Sequence, residues 1–208
     1  MPGVDFPAME ETLLSVALGL GLAAASGFRV FVPFLVLGAA VRGGYVDVSS
    51  GFAWVGTEAA LIAFGVATFL EVGGYYVPWI DNLLDAVATP AAVVAGILVT
   101  ASVITDMDPF LRWTLSVLAG GATAGSVQAV TVAGRQLSSV TTLGLGNPIV
   151  ATAEAAGSAA TALAAIVVPV LALLAVLVLL GVAARKILFR NPRREGSAAA
   201  EPAGGPGP

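Results

Sequence analysis

The chain has 208 residues, of which 58% are hydrophobic and only 11% are charged, and its formal net charge is -4 at pH 7. Soluble domains carry about 25% charged residues, so this composition predicts a polytopic membrane protein. The absence of cysteine and histidine excludes disulfides, histidine-ligated metals, haem, thiol nucleophiles and Ser-His-Asp catalysis. We therefore expect no metal and no cofactor and assign no catalytic residues, and any chemistry would have to use carboxylates, arginines, hydroxyls, amides or the backbone.

The apolar segments predict one transmembrane domain over residues 12–190. A polar lead-in, residues 1–11, precedes it and lacks the basic residues that open a signal peptide. Residues 191–208 are rich in glycine, proline and alanine, a composition typical of a disordered tail.

The first apolar run, residues 13–41, contains a single charge, Arg29, between Ser26-Gly27 and Pro33. As one straight helix this run would be about 43 Å long, which exceeds a hydrocarbon core of about 30 Å. Because proline removes an amide donor and disturbs the preceding turn, we predict one span that is broken or strongly kinked near the membrane centre. Arg29 and Ser26 at the break are candidate binding residues.

The second span, residues 57–76, begins at Thr57 and carries Glu71 in its last third. Isolated charges inside a bilayer are costly, so we predict that Glu71 pairs with Arg29. Two interpretations of this pair stay open: an arginine that binds an anionic substrate beside a tuning carboxylate, or a structural ion pair that fixes helix packing.

A short amphipathic helix follows, with Pro78 at its start. Asp81 and Asp85 share its polar face, so we predict that it lies in the membrane interface and that residues 89–104 form a separate third span. With the later Glu154, these acids would form a cation site or a proton-accepting mouth at the outer face. The alternative is that they only face water.

The fourth span, residues 111–137, follows a predicted N-cap at Asp108 and is rich in small residues. Gly121 and Gly125 form a GxxxG pair, which predicts close packing against another helix. Gln128 on this span would either line a cavity or bond to a neighbouring helix.

Asn147 is predicted to cap a further short helix, with Pro148 at its first position and Glu154 on its surface. The fifth span then follows as residues 160–184, and we expect Pro169 only to kink it.

Two sequence features suggest internal symmetry. Ser26-Gly27 in the first span and Gly125-Ser126 in the fourth are each followed by a polar residue and, later, by a proline-initiated helix with an acid. If the two spans enter from opposite sides, this suits an inverted-topology repeat, as found in transporters. Chance recurrence in a biased composition is the alternative.

Basic residues predict the orientation. Arg42 and Arg112 fall in loops that five spans would place on the side of the C-terminal tail, where five more basic residues follow the last span: Arg185, Lys186, Arg190, Arg193 and Arg194. Because cytoplasmic loops carry an excess of lysine and arginine, we predict an outside N-terminus and a cytoplasmic C-terminus.

Three motifs occur together in the chain: Ser26-Gly27-Phe28-Arg29, Pro78-Trp79-Ile80-Asp81 through Asp85, and Gly144-Leu145-Gly146-Asn147-Pro148 with Glu154 after it. In this order and spacing they resemble the bacterial membrane-protein family catalogued as domain of unknown function 4126. The resemblance covers residues 13–190 and implies a small integral membrane protein without an established activity.

Together these features predict an all-α membrane helix bundle of about five spans plus short interfacial or re-entrant helices, in a bacterial cytoplasmic membrane. The leading functional hypothesis is a permease for a small anionic solute or a cation, with a midplane site at the broken first helix. A structural or lipid-interacting protein is the second hypothesis, and an enzyme acting on lipid head groups is the third. Besides the lipid bilayer we expect a homo-oligomer as a candidate partner, and no nucleic acid.

Overall fold

A computed structural model describes residues 6–76, 78–143 and 145–188, with the side chains of residues 6–8, 78–86, 183–184 and 186–188 excepted. All regular structure in these ranges is helical, which confirms the all-α class. The elements are α1 (Phe6–Phe28), α2 (Val32–Arg42), a 3-10 helix (Ser50–Gly56), α3 (Glu58–Gly74), α4 (Pro78–Val103), α5 (Pro109–Leu115), a π segment (Ser116–Gly120), α6 (Gly121–Thr142), α7 (Asn147–Val167) and α8 (Pro169–Leu188).

Two of the predicted helix caps are confirmed. Thr57 accepts a hydrogen bond from the Ala60 amide at the start of α3, and the Asp108 carboxylate caps α5. At α7 the prediction is wrong by one residue, because Gly146 is the N-cap and Asn147 is already helical. The Asn147 amide group instead donates to Ser139 Oγ at 3.0 Å, which joins the end of α6 to the start of α7.

The first apolar run is not one kinked span, because the chain reverses at residues 29–31. α1 runs antiparallel to α4, since Gly19 lies against Thr100 and Ala23 near Gly96. α2 runs in the same direction as α4, with Phe34 beside Val94 and Leu98 in a shared groove. α1 and α2 therefore form a helical hairpin with Arg29 at its tip.

The predicted interfacial helix and the predicted third span are a single helix, α4, with Pro90 in its interior. Prolines are tolerated inside transmembrane helices when neighbouring groups satisfy the freed backbone carbonyl, so the proline did not mark a helix start here. α1 also begins at Phe6, within the predicted lead-in. The predicted tail, residues 191–208, lies outside the described residues.

α6 shows no break at Gly125-Ser126, and the irregularity lies earlier, in the π segment. There Gly120 packs against the backbone of Gly96, an approach that a side chain would block. α6 also runs parallel to α1, since Gly27 contacts Val127 while Ala23 and Ala124 both flank Gly96. An inverted repeat needs opposite directions for these two stretches, so the structure does not show the predicted repeat.

The last apolar run also reverses rather than kinks. α7 ends at Val167, Val168 lies outside helical geometry, and α8 begins at Pro169. Along α8, Ala172 lies near Gly21 and Leu180 packs in the cluster that contains Phe28, so α8 runs parallel to α1. Helix directions therefore alternate from α1 to α8 when α5, the π segment and α6 count as one rod.

α1 is the central helix and packs against α4, α6, α7 and α8. One end of the bundle, where α1, α3 and α6 end, is called the Arg29 end. The other, where α2, α4 and α7 end, is called the Ser49 end, since the Ser49 amide donates there to Ser102 O. Polar side chains such as Thr100 and Ser158 are buried, while large apolar ones such as Phe69 and Leu171 are exposed. Exposed apolar side chains around a core that includes polar ones suit a lipid surrounding.

Three described helices are long and apolar enough to cross a membrane: Met9–Phe28, Pro109–Thr142 and Asn147–Val167. The 3-10 helix and α3, bent by 67°, would together make a fourth. The segments Val32–Arg42, Val87–Val103 and Pro169–Val182 are apolar but shorter. These helices indicate a membrane protein, and the predicted count of five spans is not confirmed.

Candidate functional site: a buried arginine–glutamate cluster

Arg29 lies at the tip of the α1–α2 hairpin and is 1% exposed. Its Nη2 donates to Glu154 Oε2 at 3.0 Å and to the Ala151 carbonyl at 3.0 Å. Ala151, Glu154 and Ser158 follow one another along one face of α7, and Ser158 Oγ donates to the Ala25 carbonyl at 2.8 Å. This face of α7 therefore holds the end of α1 by three polar contacts.

Glu154 binds a second arginine as well as Arg29. Its Oε1 lies 3.1 Å from Nε of Arg135, on α6. Arg135 is 2% exposed and Glu154 6%, so the carboxylate bridges two buried guanidiniums with one oxygen toward each. Such a bridge offsets much of the cost of burying the three charges.

Tyr75, directly after α3, completes this cluster. The guanidinium carbons of Arg29 and Arg135 lie 3.9 Å and 4.4 Å from the centre of its ring. A cation over an aromatic face is stabilised by the ring quadrupole, and more strongly where water is excluded. The ring is buried and thus holds both guanidiniums in place.

Some donors in this region have no partner among the described residues. Nε and Nη1 of Arg29 are buried without a hydrogen bond, and so is Nε2 of Gln128. Gln128, Thr131 and Arg135 form a buried polar stripe on α6 that faces the bundle interior. Buried donors without acceptors cost free energy, so they mark a place where a ligand or a changed conformation would be stabilised.

Glu71 does not form the predicted ion pair with Arg29, whose carboxylate partner in the structure is Glu154. Instead its Oε1 accepts from the Val30 amide at 2.7 Å and its Oε2 from the Phe31 amide at 3.1 Å. These amides lie in the three-residue gap between α1 and α2 and have no acceptor within a helix. Glu71 therefore binds the backbone directly before α2, where a negative charge also suits the helix dipole.

A lateral groove of about 340 Å³ leads to this region from the side of the bundle. Its walls are mainly apolar side chains, such as Leu70 of α3 and Val87 of α4, with Val30 and Phe31 of the gap between them. Glu71 and Tyr75 also line it. The groove thus reaches Val30 and Phe31, which follow Arg29 in the chain, and Tyr75, whose ring contacts the Arg29 guanidinium.

The cluster lies nearer to the Arg29 end of the bundle than to the Ser49 end. Arg135 is followed by seven residues of α6, and Glu154 is preceded by seven residues of α7. At 1.5 Å per residue, both lie about 10 Å from the ends of their helices.

The other predicted site residues have different positions. Ser26 is buried and donates to the Leu22 carbonyl of its own helix. Gly121 and Gly125 face Val93 and Ile97 of α4, where an added methyl group would approach these side chains to between 3.1 and 3.5 Å. The side chains of Asp81 and Asp85, in the first turns of α4, lie outside the described residues.

Sequence reasoning missed two members of the cluster, Arg135 and Tyr75. Arg135 continues the helical spacing of Gln128 and Thr131 and so lies on the same face of α6, which is the sequence signal that could have found it. Nothing in the sequence marks Tyr75, because only the fold brings the end of α3 over Arg29.

The basic residues lie at both ends of the bundle. Arg42 and Arg112 belong to the Ser49 end, and Arg42 forms an exposed ion pair with Glu58 at 3.9 Å. Arg185, near the end of α8, belongs to the Arg29 end, because α8 runs parallel to α1. The loop arginines and the tail therefore predict opposite orientations.

The sequence was compared with known proteins. Residues 16–188 match the family model described as Domain of unknown function (DUF4126). No curated protein and no solved structure matches the chain.

Proposed function

The chain belongs to the DUF4126 family, and from this premise we propose that it is a permease for a small anion that binds between Arg29 and Arg135. The family carries no assigned activity, so the proposal depends on the site itself. A bacterial cytoplasmic membrane is its proposed location.

The bridge made by Glu154 carries the proposal. One carboxylate oxygen lies 3.0 Å from Arg29 Nη2 and the other 3.1 Å from Arg135 Nε, as the oxygens of a bound oxyanion would. Arginine is suited to planar carboxylate and phosphate groups because its donors form a rigid fork. The protein's own carboxylate thus occupies an anion position that a substrate would take over.

Charge supports an anion rather than a cation at this position. Two arginines meet at this position, while the Glu71 carboxylate is engaged by two backbone amides. An anion that displaces Glu154 would also give the unpartnered Nε and Nη1 of Arg29 an acceptor. Binding would then replace the Glu154 carboxylate by the anion, and release would restore it, while the two arginines stay in place.

One observation favours a second function, a structural or lipid-interacting protein. The unpartnered atoms of Arg29 have no contact with solvent in this conformation. A closed ion cluster of this kind would lock α1, α6 and α7 together without binding anything. The two functions differ in whether a soluble anion changes the stability of the protein.

The orientation forms part of the proposal. The tail has more basic residues than the loops at the Ser49 end, so we keep the cytoplasmic C-terminus. With α8 parallel to α1, the Arg29 end then faces the cytoplasm, and the anion would enter or leave there. A reporter fused after residue 208 that reads external would overturn this orientation.

The function is tested by thermal unfolding of the purified protein with inorganic phosphate, nitrate, chloride and short monocarboxylates. At about one hundred times its dissociation constant, a bound anion adds about 2.7 kcal/mol of stability. We expect one class of anion to stabilise the wild type and Arg42→Lys, and to have no effect on Arg135→Lys. If every anion has the same effect on all three, the permease is wrong and the structural function stands.

A further inference from the structure

We propose that the coupling ion of this permease is a proton and that it binds Glu71, releasing the tip of the α1–α2 hairpin. The inference rests on the proposed function, because coupling needs a transported solute. Its structural part, a protonation-dependent hairpin, can be tested without any substrate.

Glu71 holds the hairpin through its charge and both of its oxygens. Ionised, it accepts from the Val30 amide at 2.7 Å and from the Phe31 amide at 3.1 Å. A proton added to one oxygen turns it into a hydroxyl, which is a much poorer acceptor, so the hydrogen bond at that oxygen is weakened. The other bond is also weaker, because its acceptor is no longer charged.

The groove gives a proton a route to Glu71 but not to Glu154. Glu71 is half-buried and lines the lateral groove of about 340 Å³. Glu154 is 6% exposed and is held between the two guanidiniums. Of the two carboxylates in this region, Glu71 is therefore the one that can exchange a proton while the cluster stays closed.

The charged groups around Glu71 come from several elements. The positive groups near Glu71 are Arg29, between α1 and α2, and Arg135 of α6. The Glu154 carboxylate of α7 is paired with the same two arginines. Tyr75, which directly follows α3, is the titratable group that the end of this helix supplies. Asp81 and Asp85 are the acids on the first turns of α4. Because Glu71 lies only three residues before the end of α3 and lines the groove, a proton would reach it from the Arg29 end of the bundle.

Release of the tip would give access to the anion site. Val30 and Phe31 directly follow Arg29 and line the groove, so their movement would open the groove toward the two guanidiniums. α2 has only 11 residues and packs on α3 and α7, which makes it a short element that can shift without unfolding the central helix. Proton binding at Glu71 and anion binding at Arg29 would thus favour the same open state, and each would strengthen the other.

The test uses cysteine accessibility, because the natural chain has no cysteine. Val32→Cys places a thiol on the first residue of α2, which is buried. Tyr45→Cys, at an exposed position at the other end of α2, supplies a reference rate in a second sample. The ratio of the two labelling rates with a water-soluble maleimide removes the pH dependence of the thiol itself.

We expect this ratio to rise at least about tenfold between about pH 8 and about pH 5, which is ~1.4 kcal/mol in the opening equilibrium. In Glu71→Gln the ratio should be high at both pH values. Glu58→Gln, on the exposed first turn of the same helix, should behave as the wild type.

A ratio independent of pH with Glu71 intact would overturn the inference, whether or not Glu71→Gln folds. A rise that persists unchanged in a folded Glu71→Gln variant would also overturn it, since another group would then titrate. If the labelling ratio depends on pH through Glu71 but no anion stabilises the protein, only the proposed function fails. If an anion binds but the hairpin does not respond, only the proton coupling fails.

Discussion

The chain reverses inside the apolar bundle twice, and the two reversals are built from different chemistry. At the second, between α7 and α8, residues 162–174 contain no polar side chain. One residue, Val168, separates the helices, its amide donates to the Ala164 carbonyl at 2.8 Å, and Pro169 needs no acceptor. At the first, three residues separate α1 from α2, and two of their amides depend on a carboxylate from α3.

The difference teaches that turning the chain does not require buried charge. An apolar reversal with local hydrogen bonds suffices at Pro169, yet the first reversal is surrounded by Arg29, Glu71, Arg135 and Glu154. Buried ion clusters are seldom retained for stability, because well-packed apolar residues are often as stable or more so. The proposed anion site would account for this contrast, and three predictions test the comparison.

The largest effect is expected for Glu154→Ala, which leaves two buried guanidiniums without their shared carboxylate. Breaking one partner from a buried ion pair costs about 3–5 kcal/mol, and thermal or denaturant unfolding would measure it. The double variant Arg29→Ala/Glu154→Ala should lose less stability than the sum of the two single variants.

Glu58→Ala is the matched control, because its pair with Arg42 is exposed and should contribute no more than about 1 kcal/mol. Additive losses at Arg29 and Glu154, or equal losses for Glu154→Ala and Glu58→Ala, would contradict the bridged cluster.

An intermediate effect is expected for Gly27→Ala, just before the first reversal. A methyl group there would lie 2.5 Å from Val127 Cβ and 2.6 Å from the Ala124 carbonyl, so α1 and α6 would have to separate. Overpacking of this kind costs about 1–3 kcal/mol, measured by unfolding. Gly181→Ala, on α8, meets nothing within 4 Å and should be neutral or slightly stabilising. Equal effects of the two variants would show that the end of α1 is not closely packed.

The smallest effect is expected for Pro169→Ala. The local hydrogen bonds of the second reversal remain, and only the stiffness that proline gives the unfolded chain is lost, which is about 0.4–1 kcal/mol. The unfolding transition should hardly move, and anion-dependent stabilisation should be unchanged. A loss as large as that of Glu154→Ala would mean that the apolar reversal also carries a specific constraint.

Much of the local structure follows from the sequence. Thr57 and Asp108 act as predicted caps because capping needs only a short side chain next to free amides. The interruption at Arg29 was also predicted correctly, since a buried guanidinium and Pro33 both oppose a continuous helix. These features depend on residues within one or two turns of each other.

The direction of the chain after Arg29 could not be predicted in this way. A kinked span and a hairpin have the same local pattern, and packing of α2 beside α4 decides between them. The partner of Arg29 was missed for a similar reason: Glu71 and Glu154 are both acids on apolar helices, and only the fold brings Glu154, which lies 125 residues away, to the guanidinium. Tyr75 shows the same limit, because ring-to-arginine contact leaves no trace in spacing.

The rod formed by Pro109–Thr142 has 34 residues and is therefore about 51 Å long, against an apolar layer of about 30 Å. Even at a steep tilt of about 40° it must extend beyond the hydrocarbon core of the bilayer. A rigid helical extension of this kind gives antibody fragments or fused carrier proteins a firm attachment at the Trp113 side, far from the ion cluster. For a chain of this size, the added mass of such a partner would make single-particle imaging of the closed and open α1–α2 hairpin feasible.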